Sequence, residues 1–373
     1  MKYLFELGHQ PHISIEEILT SLEMEGVPLT WHNRDGNFLS VESDKAIDGT
    51  TLMQKLGGTL AVFEHIDRQD KKIEDCIVQT LESDSSHKKI FCLRGKDRKI
   101  GISIKKALKS NGYPARFIEY KNTATIFHNK LVENAGYFFV KDGEVFVCRG
   151  IQPLEQFAHK DSDKPGFDRY SGMLPPKLAR MMINLAGVAT PATLLDPFCG
   201  SGVLLMEALD LGYHIIGSDI SDRAVEDSRK NIQWRKGEHE SLRNLSSEIF
   251  CEDVQKLSRK IEPDSIDLIT CEPYMGKPLR GGEDVSFLKR QAQELATLYL
   301  TAFDEFSKML VPGGVVVFII PKFHIRERWT TIPIVDDILS KGFELWEFEN
   351  DKSLVYQRSG QHIAREIFRF VKN

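Results

Sequence analysis

The 373-residue sequence has no run of about 18 consecutive apolar residues, so no segment is expected to span a membrane. The amino terminus, Met1 to Gly8, lacks a long apolar stretch ending in a small-residue cleavage site, and secretion is not expected either. The six cysteines, Cys76, Cys92, Cys148, Cys199, Cys251 and Cys271, include no Cys-x-x-Cys pair. That spacing argues against a structural zinc and for reduced thiols in a cytoplasm, and no metal ligand set is expected. What remains is ordinary globular composition, 41% hydrophobic and 28% charged. The chain is too long for one typical core, so two or three domains are expected.

A net charge of −5 gives no overall bias toward nucleic acid, but the charge is unevenly placed. Between Ser86 and Lys130, twelve Lys or Arg face only Asp97 and Glu119. This segment carries about +10 and leaves about −15 on the rest. A solvated helix face is the plain alternative. The asymmetry favours a phosphate-binding surface, with Lys96, Arg98, Lys99, Lys105, Lys106 and Lys109 as its candidate contacts. Apolar residues at structural spacing (Ile100, Ile104, Leu108, Phe117) place the run in a folded unit.

Residues 1–66 read as strand (Tyr3 to Leu7), helix, two strands (Val27 to Trp31, Phe38 to Val41), helix (Asp48 to Leu56) and strand (Leu60 to Ile66), a ferredoxin-like order. Ser14 with Glu17 three residues on has capping-box spacing, so the first helix is expected to start there, leaving His9 and His12 in a loop. A second α+β unit spans 67–150. It has helices at Ile73 to Leu81 and Ile102 to Asn111, and strands at Lys89 to Leu93, Ala124 to His128 and Tyr137 to Lys141. Asp142-Gly143 then marks a hairpin to Val145–Cys148. A polar linker covers 151–172, and a third domain, 173–373, opens with a helix at Leu178 to Leu185.

The third domain alternates strand and helix, the pattern of a doubly wound parallel sheet in the α/β class. Its strands are Leu194–Asp196, His214–Asp219, Glu248–Cys251, Ile266–Thr270 and Val315–Ile320, with a terminal pair at Phe343–Phe348 and Arg365–Val371. The first strand runs into Asp196-Pro197-Phe198-Cys199-Gly200-Ser201-Gly202. A Walker loop would need Gly-Lys-Ser/Thr where Gly202-Val203-Leu204 stands, and a dinucleotide loop would need glycine at Leu205. No phosphate cradle is left, but an acid for an ammonium and amides for a carboxylate suit S-adenosyl-L-methionine. Asp219 closes the second strand 17 residues past Gly202, where an acid can accept both ribose hydroxyls. Asp253 follows the third strand, where an adenine amino group could be read, and Cys271-Glu272-Pro273-Tyr274 closes the fourth.

These motifs resemble the methyltransferases with a Rossmann-like fold that modify exocyclic amino groups and carry Asp/Asn-Pro-Pro-Tyr at the fourth strand. The opening Tyr3-Leu4-Phe5-Glu6-Leu7-Gly8, Lys99-Ile100-Gly101-Ile102-Ser103, Lys164-Pro165-Gly166-Phe167-Asp168-Arg169, Gly172 to Ala179, Tyr356-Gln357-Arg358 and Arg365-Glu366-Ile367 narrow the resemblance. They are similar to segments of the THUMP-domain tRNA guanine-N2 methyltransferases acting on guanosine at position ten. The resemblance implies a ferredoxin-like domain and a THUMP RNA-binding domain ahead of the catalytic one. It also implies cofactor contacts at Asp196, Pro197, Phe198, Gly200, Gly202, Asp219 and Asp253. Base contacts are implied at Cys271, Glu272, Pro273 and Tyr274, and Gly172 to Lys177 would cover the methionine end. The implied partners are tRNA and a small activating protein subunit, in the cytoplasm.

Cys271 and Glu272 depart from the family motif. An exocyclic amine is a poor nucleophile because its lone pair is delocalised into the ring, and acceptors for its N–H bonds localise that pair. A thiol is a weak acceptor. Glu272 is therefore expected to serve the amine and Tyr274 to stack on the guanine, with Cys271 as a packed strand-end residue. A covalent Cys271 mechanism, amino-group methylation of DNA or rRNA, and a catalytically silent RNA-binding relative are the alternatives.

Overall fold

Residues 1–167, 174–279, 283–325, 328–349, 351–358 and 360–373 are described by a computed structural model. In order, the first elements are β1 (Lys2–Leu7), α1 (Pro11–Met24), β2 (Leu29–Asp35), β3 (Phe38–Ser43), α2 (Gly49–Lys55) and β4 (Thr59–Ile66). Then come α3 (Ile73–Ser83), β5 (Lys89–Arg94), α4 (Arg98–Ser110), β6 (Ala115–Glu119), α5 (Thr123–His128), β7 (Tyr137–Lys141) and β8 (Glu144–Ile151). All eight strands form one sheet in the order β2-β3-β1-β4-β8-β7-β5-β6. The first four keep the ferredoxin-like order, and β4 pairs β8, so the segments 1–66 and 67–150 share one sheet. One compact unit holds Met1–Pro11 and Gly26–Pro153; the other holds His12–Glu25 and Leu154–Asn373.

Asp97 caps α4 by accepting from Lys99 N, and Gly112, at φ +89°, ends it before Pro114. The hairpin at Asp142-Gly143 has both residues at positive φ, as a two-residue loop requires. One expectation fails in this unit, and one strand was not foreseen. Residues 124–128 form the helix α5 rather than a strand: the Asn122 side chain accepts from Thr125 N and caps it. The strand between Pro114 and Tyr120, β6, went unpredicted. Both β6 and β7 run parallel to β5, so the chain must cross over between them, and α5 lies in that crossover.

The capping box at Ser14 and Glu17 is not formed. The helix begins at Pro11, whose fixed φ suits a first helical position, so Ser14 and Glu17 are interior and His12 is helical. Asn184 donates to Glu17 Oε1 at 2.7 Å, and Glu349 N donates to Glu16 Oε1 at 3.1 Å. Ile13 is buried in the same core as Leu178 and Met182.

The second unit continues with α6 (Leu154–Ser162), α7 (Pro176–Leu185), β9 (Thr193–Asp196), α8 (Val203–Asp210), β10 (His214–Asp219), α9 (Asp222–Glu238) and β11 (Ser247–Cys251). It ends with β12 (Ile266–Cys271), α10 (Val285–Met309), β13 (Leu310–Ile325), β14 (Arg328–Thr330), α11 (Val335–Leu339), β15 (Phe343–Leu345), β16 (Leu354–Tyr356) and β17 (Ile363–Lys372). The sheet runs β11-β10-β9-β12-β13-β17-β15. Its first five strands are parallel, and β17 is antiparallel to β13. One face packs on α7, α8 and α9, the other on α10, where Tyr299, Phe303 and Phe306 meet Phe318. This is a Rossmann-like doubly wound fold, and its strand order reverses between β9 and β12, where open α/β sheets bind ligands. Among the described residues no helix is long and apolar enough to cross a membrane.

The expected linker holds α6 and a buried ion network. Lys160, 1% exposed, pairs with Glu207 and with Asp210, the latter at 2.8 Å. Arg180 reaches Glu207 at 2.6 Å, and Arg235 reaches Asp210 at 2.8 Å, joining α6, α7, α8 and α9. Burial alone would push the Asp210 carboxyl up, but the charges of Lys160 and Arg235 hold it below the usual range. Its contribution to stability is therefore present above the unfolded carboxylate range and fades as pH falls through the lower folded value. Lys160→Met leaves two buried carboxylates short of a cation and is expected to destabilise the domain by about 3–5 kcal/mol, read by urea unfolding at neutral pH. A loss within experimental error would show that Arg180 and Arg235 suffice.

Candidate active site

Because β9, β10, β11 and β12 are parallel, their carboxyl ends lie on one rim, and each carries an acid or the Glu-Pro-Tyr turn. Asp196 ends β9 and is 3% exposed, and its Oδ1 accepts from Phe198 N at 3.1 Å. Burial pushes this carboxyl well above its ordinary range, and the negative charges of Asp219 and Glu272 add to the rise. A site so short of positive charge fits S-adenosyl-L-methionine, which carries a sulfonium and an ammonium.

The loop after β9 is shaped by backbone. Gly200, at φ +51°, has open space where a Cβ would stand, and its N–H donates to Asp219 Oδ2 at 3.0 Å. Asp219 Oδ1 accepts from Ser221 N at 2.9 Å, so the carboxylate is held at the end of β10. Gly202, at φ +79°, is also constrained by packing: a Cβ there would come within 2.4 Å of Ser228 Oγ on α9. Pro197 is buried and Phe198 packs partly into the apolar core beneath the loop. Asp253 caps the following 3₁₀ turn, accepting from Gln255 N at 3.0 Å, and stays partly exposed.

Asn231, on α9, was not anticipated. It donates to the carbonyls of Gly166 and Ser201 at 2.9 and 2.7 Å and accepts from Gly166 N at 2.6 Å. It thus ties Lys164-Pro165-Gly166 to the glycine loop. Gly166 must lack a side chain, since a Cβ would come within 2.5 Å of the Asp227 carbonyl. Nothing in the spacing of a lone Asn signals this role. Asp168, Arg169, Gly172 and Met173 lie outside the described residues.

At β12 the two unusual residues take different surroundings. Cys271 is fully buried in the apolar cluster with Tyr299 and Phe318. Burial pushes its thiol well above the ordinary value, and Asp196 and Glu272 add to the rise. A protonated thiol is a poor nucleophile, which disfavours the covalent alternative. Arg365 of β17 donates from Nε to Glu272 Oε1 at 2.5 Å, a pairing the sequence did not signal. Burial raises the Glu272 carboxyl, while Arg365, and Arg358 farther off, pull it back down. The Tyr299 hydroxyl donates to the Tyr274 carbonyl at 2.6 Å and fixes the turn, and Tyr274 is 55% exposed.

The basic run of the first unit divides into cations engaged inside the fold and cations on the surface of α4. Lys89 is buried and donates to the Asp84 carbonyl at 2.8 Å; Arg94 grips Glu6 through both Nη atoms at 2.7 and 2.9 Å. These two are spent internally. On α4, Gly101, Ile104 and Leu108 face the core. Arg98, Lys99, Lys105, Lys106 and Lys109 then fall within roughly 120° on the other side of a regular helix. Lys105 is half-buried, the other four are exposed, and exposed Lys96 precedes the helix. Arg98 also pairs with Glu119 at 2.6 Å.

Residues 167–325 match the family described as RMKL-like, methyltransferase domain. Residues 64–230 match one described as DNA methylase, a match that ends before the Cys271–Tyr274 motif. The chain is 32% identical over 172 residues to the tRNA (guanine(10)-N2)-dimethyltransferase of Methanothermobacter thermautotrophicus, covering 43% of this chain and 46% of that protein. It is 28% identical over 151 residues to the U6 snRNA (guanine-N(2))-methyltransferase THUMPD2 of Bos taurus, covering 40% and 26%. The chain thus matches less than half the length of these relatives. Among solved structures, TrmN from Thermus thermophilus is similar over 100% of both chains, with a TM-score of 0.50 and 16% identity, a likeness of fold. Residues 167–325 thus match a methyltransferase domain on a Rossmann-like fold, and part of the chain is similar to relatives named as RNA guanine-N2 methyltransferases.

Proposed function

We propose that the protein transfers a methyl group from S-adenosyl-L-methionine to the exocyclic N2 of a guanosine in tRNA, the one at position ten. The observation that carries this reading is the Glu272 carboxylate, paired with Arg365 at the end of the central strand and close enough to Asp196 for their charges to interact. Two relatives similar to part of this chain are named as guanine-N2 methyltransferases of RNA.

The cofactor, when bound, supplies an electrophilic methyl group on a sulfonium. Asp196 would face the ammonium, and Asp219 would accept from the two ribose hydroxyls at the open approach left by Gly200. Asp253 stands where the adenine amino group would lie. Glu272 would accept an N–H of the guanine amine, drawing its lone pair out of the ring, and Tyr274 would stack on the base. Pro273 keeps the backbone between them from folding into a helix. In this reading the amino-terminal unit holds tRNA by its phosphates, a small activating protein subunit is a second partner, and the reaction takes place in the cytoplasm.

The test is to incubate the full chain with unmodified tRNA and S-adenosyl-L-methionine and to weigh the digested nucleosides. N2-methylguanosine is the expected product; N6-methyladenosine in its place would refute the assignment. Asp219→Ala is expected to weaken cofactor binding about 10- to 100-fold, the loss of a charge-assisted hydrogen bond. Unchanged affinity by calorimetry, with the fold intact, would remove Asp219 from the site.

A further inference from the structure

Gln291 lies on α10 and is 5% exposed. Lys277 N donates to its Oε1 at 2.9 Å, which settles which end of the amide is oxygen. The other end, Nε2, is buried with no hydrogen-bond partner among the described residues. Gly276 lies directly on this amide: at φ +86°, a Cβ there would come within 2.6 Å of Gln291 Cδ. A buried amide held so firmly by one end, with its donor unused, is costly unless something else accepts from it.

A cavity of about 450 Å³ opens beside Gln291, with Tyr274, Phe287, Glu294 and Leu295 among its lining residues. Two rings, one of them the motif tyrosine, and a buried N–H donor make a place for a flat heterocycle bearing an acceptor oxygen. We propose that this cavity receives the target purine and that Gln291 Nε2 donates to its O6, making Gln291 a specificity-determining residue. The inference rests on the guanine-N2 reading and deepens it. In guanine the oxygen at C6 and the amine at C2 lie on opposite sides of N1. A bond from α10 to O6 therefore leaves the amine directed away from Gln291. A donor at this position accepts a keto purine and rejects one with an amino group or hydrogen at C6.

The experiment uses the full chain and tRNA transcripts carrying guanosine, 2-aminopurine or 2,6-diaminopurine at the target position, all three bearing the 2-amino group. Wild type is expected to prefer guanosine in kcat/KM by about 10- to 100-fold over each analogue, the usual discrimination of a site built around one hydrogen bond. Gln291→Glu keeps the acceptor for Lys277 N but removes the donor, and should lower the guanosine rate while narrowing or reversing the preference over 2,6-diaminopurine. Gln291→Met should level guanosine with 2-aminopurine. Equal wild-type rates on guanosine and 2-aminopurine would overturn the inference without any variant. So would an unchanged preference in Gln291→Glu with cofactor binding intact. Methylation of none of the three by wild type would instead bring down the guanine-N2 reading, and the inference with it.

Discussion

Glu272→Gln is expected to lower single-turnover methylation of tRNA on the order of 10²-fold or more while leaving cofactor affinity nearly unchanged. The amide keeps an oxygen but loses the charge that draws the amine's lone pair out of the ring, and it loses the ion pair with Arg365. The effect belongs to turnover because the acceptor is needed at the chemical step. Burial raises the Glu272 carboxyl, so the working carboxylate forms only above its ordinary range. The rate should therefore rise with pH through that raised value. Arg365→Met removes the charge that opposes the rise and should move the same limb to still higher pH. Cys271→Ala and Cys271→Ser should keep most activity, since the thiol is packed in the core. A dead Cys271→Ala beside an active Glu272→Gln would reverse the assignment.

Changing Lys105, Lys106 and Lys109 together to Glu is expected to weaken tRNA binding on the order of 10³-fold. Wild-type affinity should fall steeply with salt, because phosphates neutralised by lysines release counterions. The triple variant should lose about three units of that slope, one for each contact. S-adenosyl-L-methionine binding should not change, since these lysines lie on α4, in the unit of Met1–Pro11 and Gly26–Pro153. Filter binding across a salt series, with calorimetry for the cofactor, reads both. A flat salt dependence in wild type would show that the basic face of α4 does not hold the polymer.

The parallel sheet was legible because its signals are local: apolar runs ending in acids, glycine turns and helical periods between them. Asp196, Asp219 and Glu272 follow from that register, since parallel strands put their carboxyl ends on one rim. The failures share a cause. Residues 124–128 alternate well enough for a strand, but a distant requirement, the crossover over β5, makes them helical. Ser14 and Glu17 have cap spacing, yet the helix face they lie on is buried, and Glu17 answers to Asn184 instead. Arg365, Asn231 and Gln291 act through partners 93, 65 and 14 residues away, separations no local pattern encodes. The count of basic residues overstated the free charge for the same reason, since Lys89 and Arg94 are engaged by Asp84 and Glu6.

The central claim is that a guanine N2 amine accepts the methyl group. Two tRNA transcripts, one with guanosine and one with inosine at position ten, differ in that amine alone. Incubated with the full chain and labelled S-adenosyl-L-methionine, the guanosine transcript should take up label and the inosine transcript should take up none there. Equal labelling of both at that position, or no labelling of either by a protein that binds the cofactor, would contradict the account.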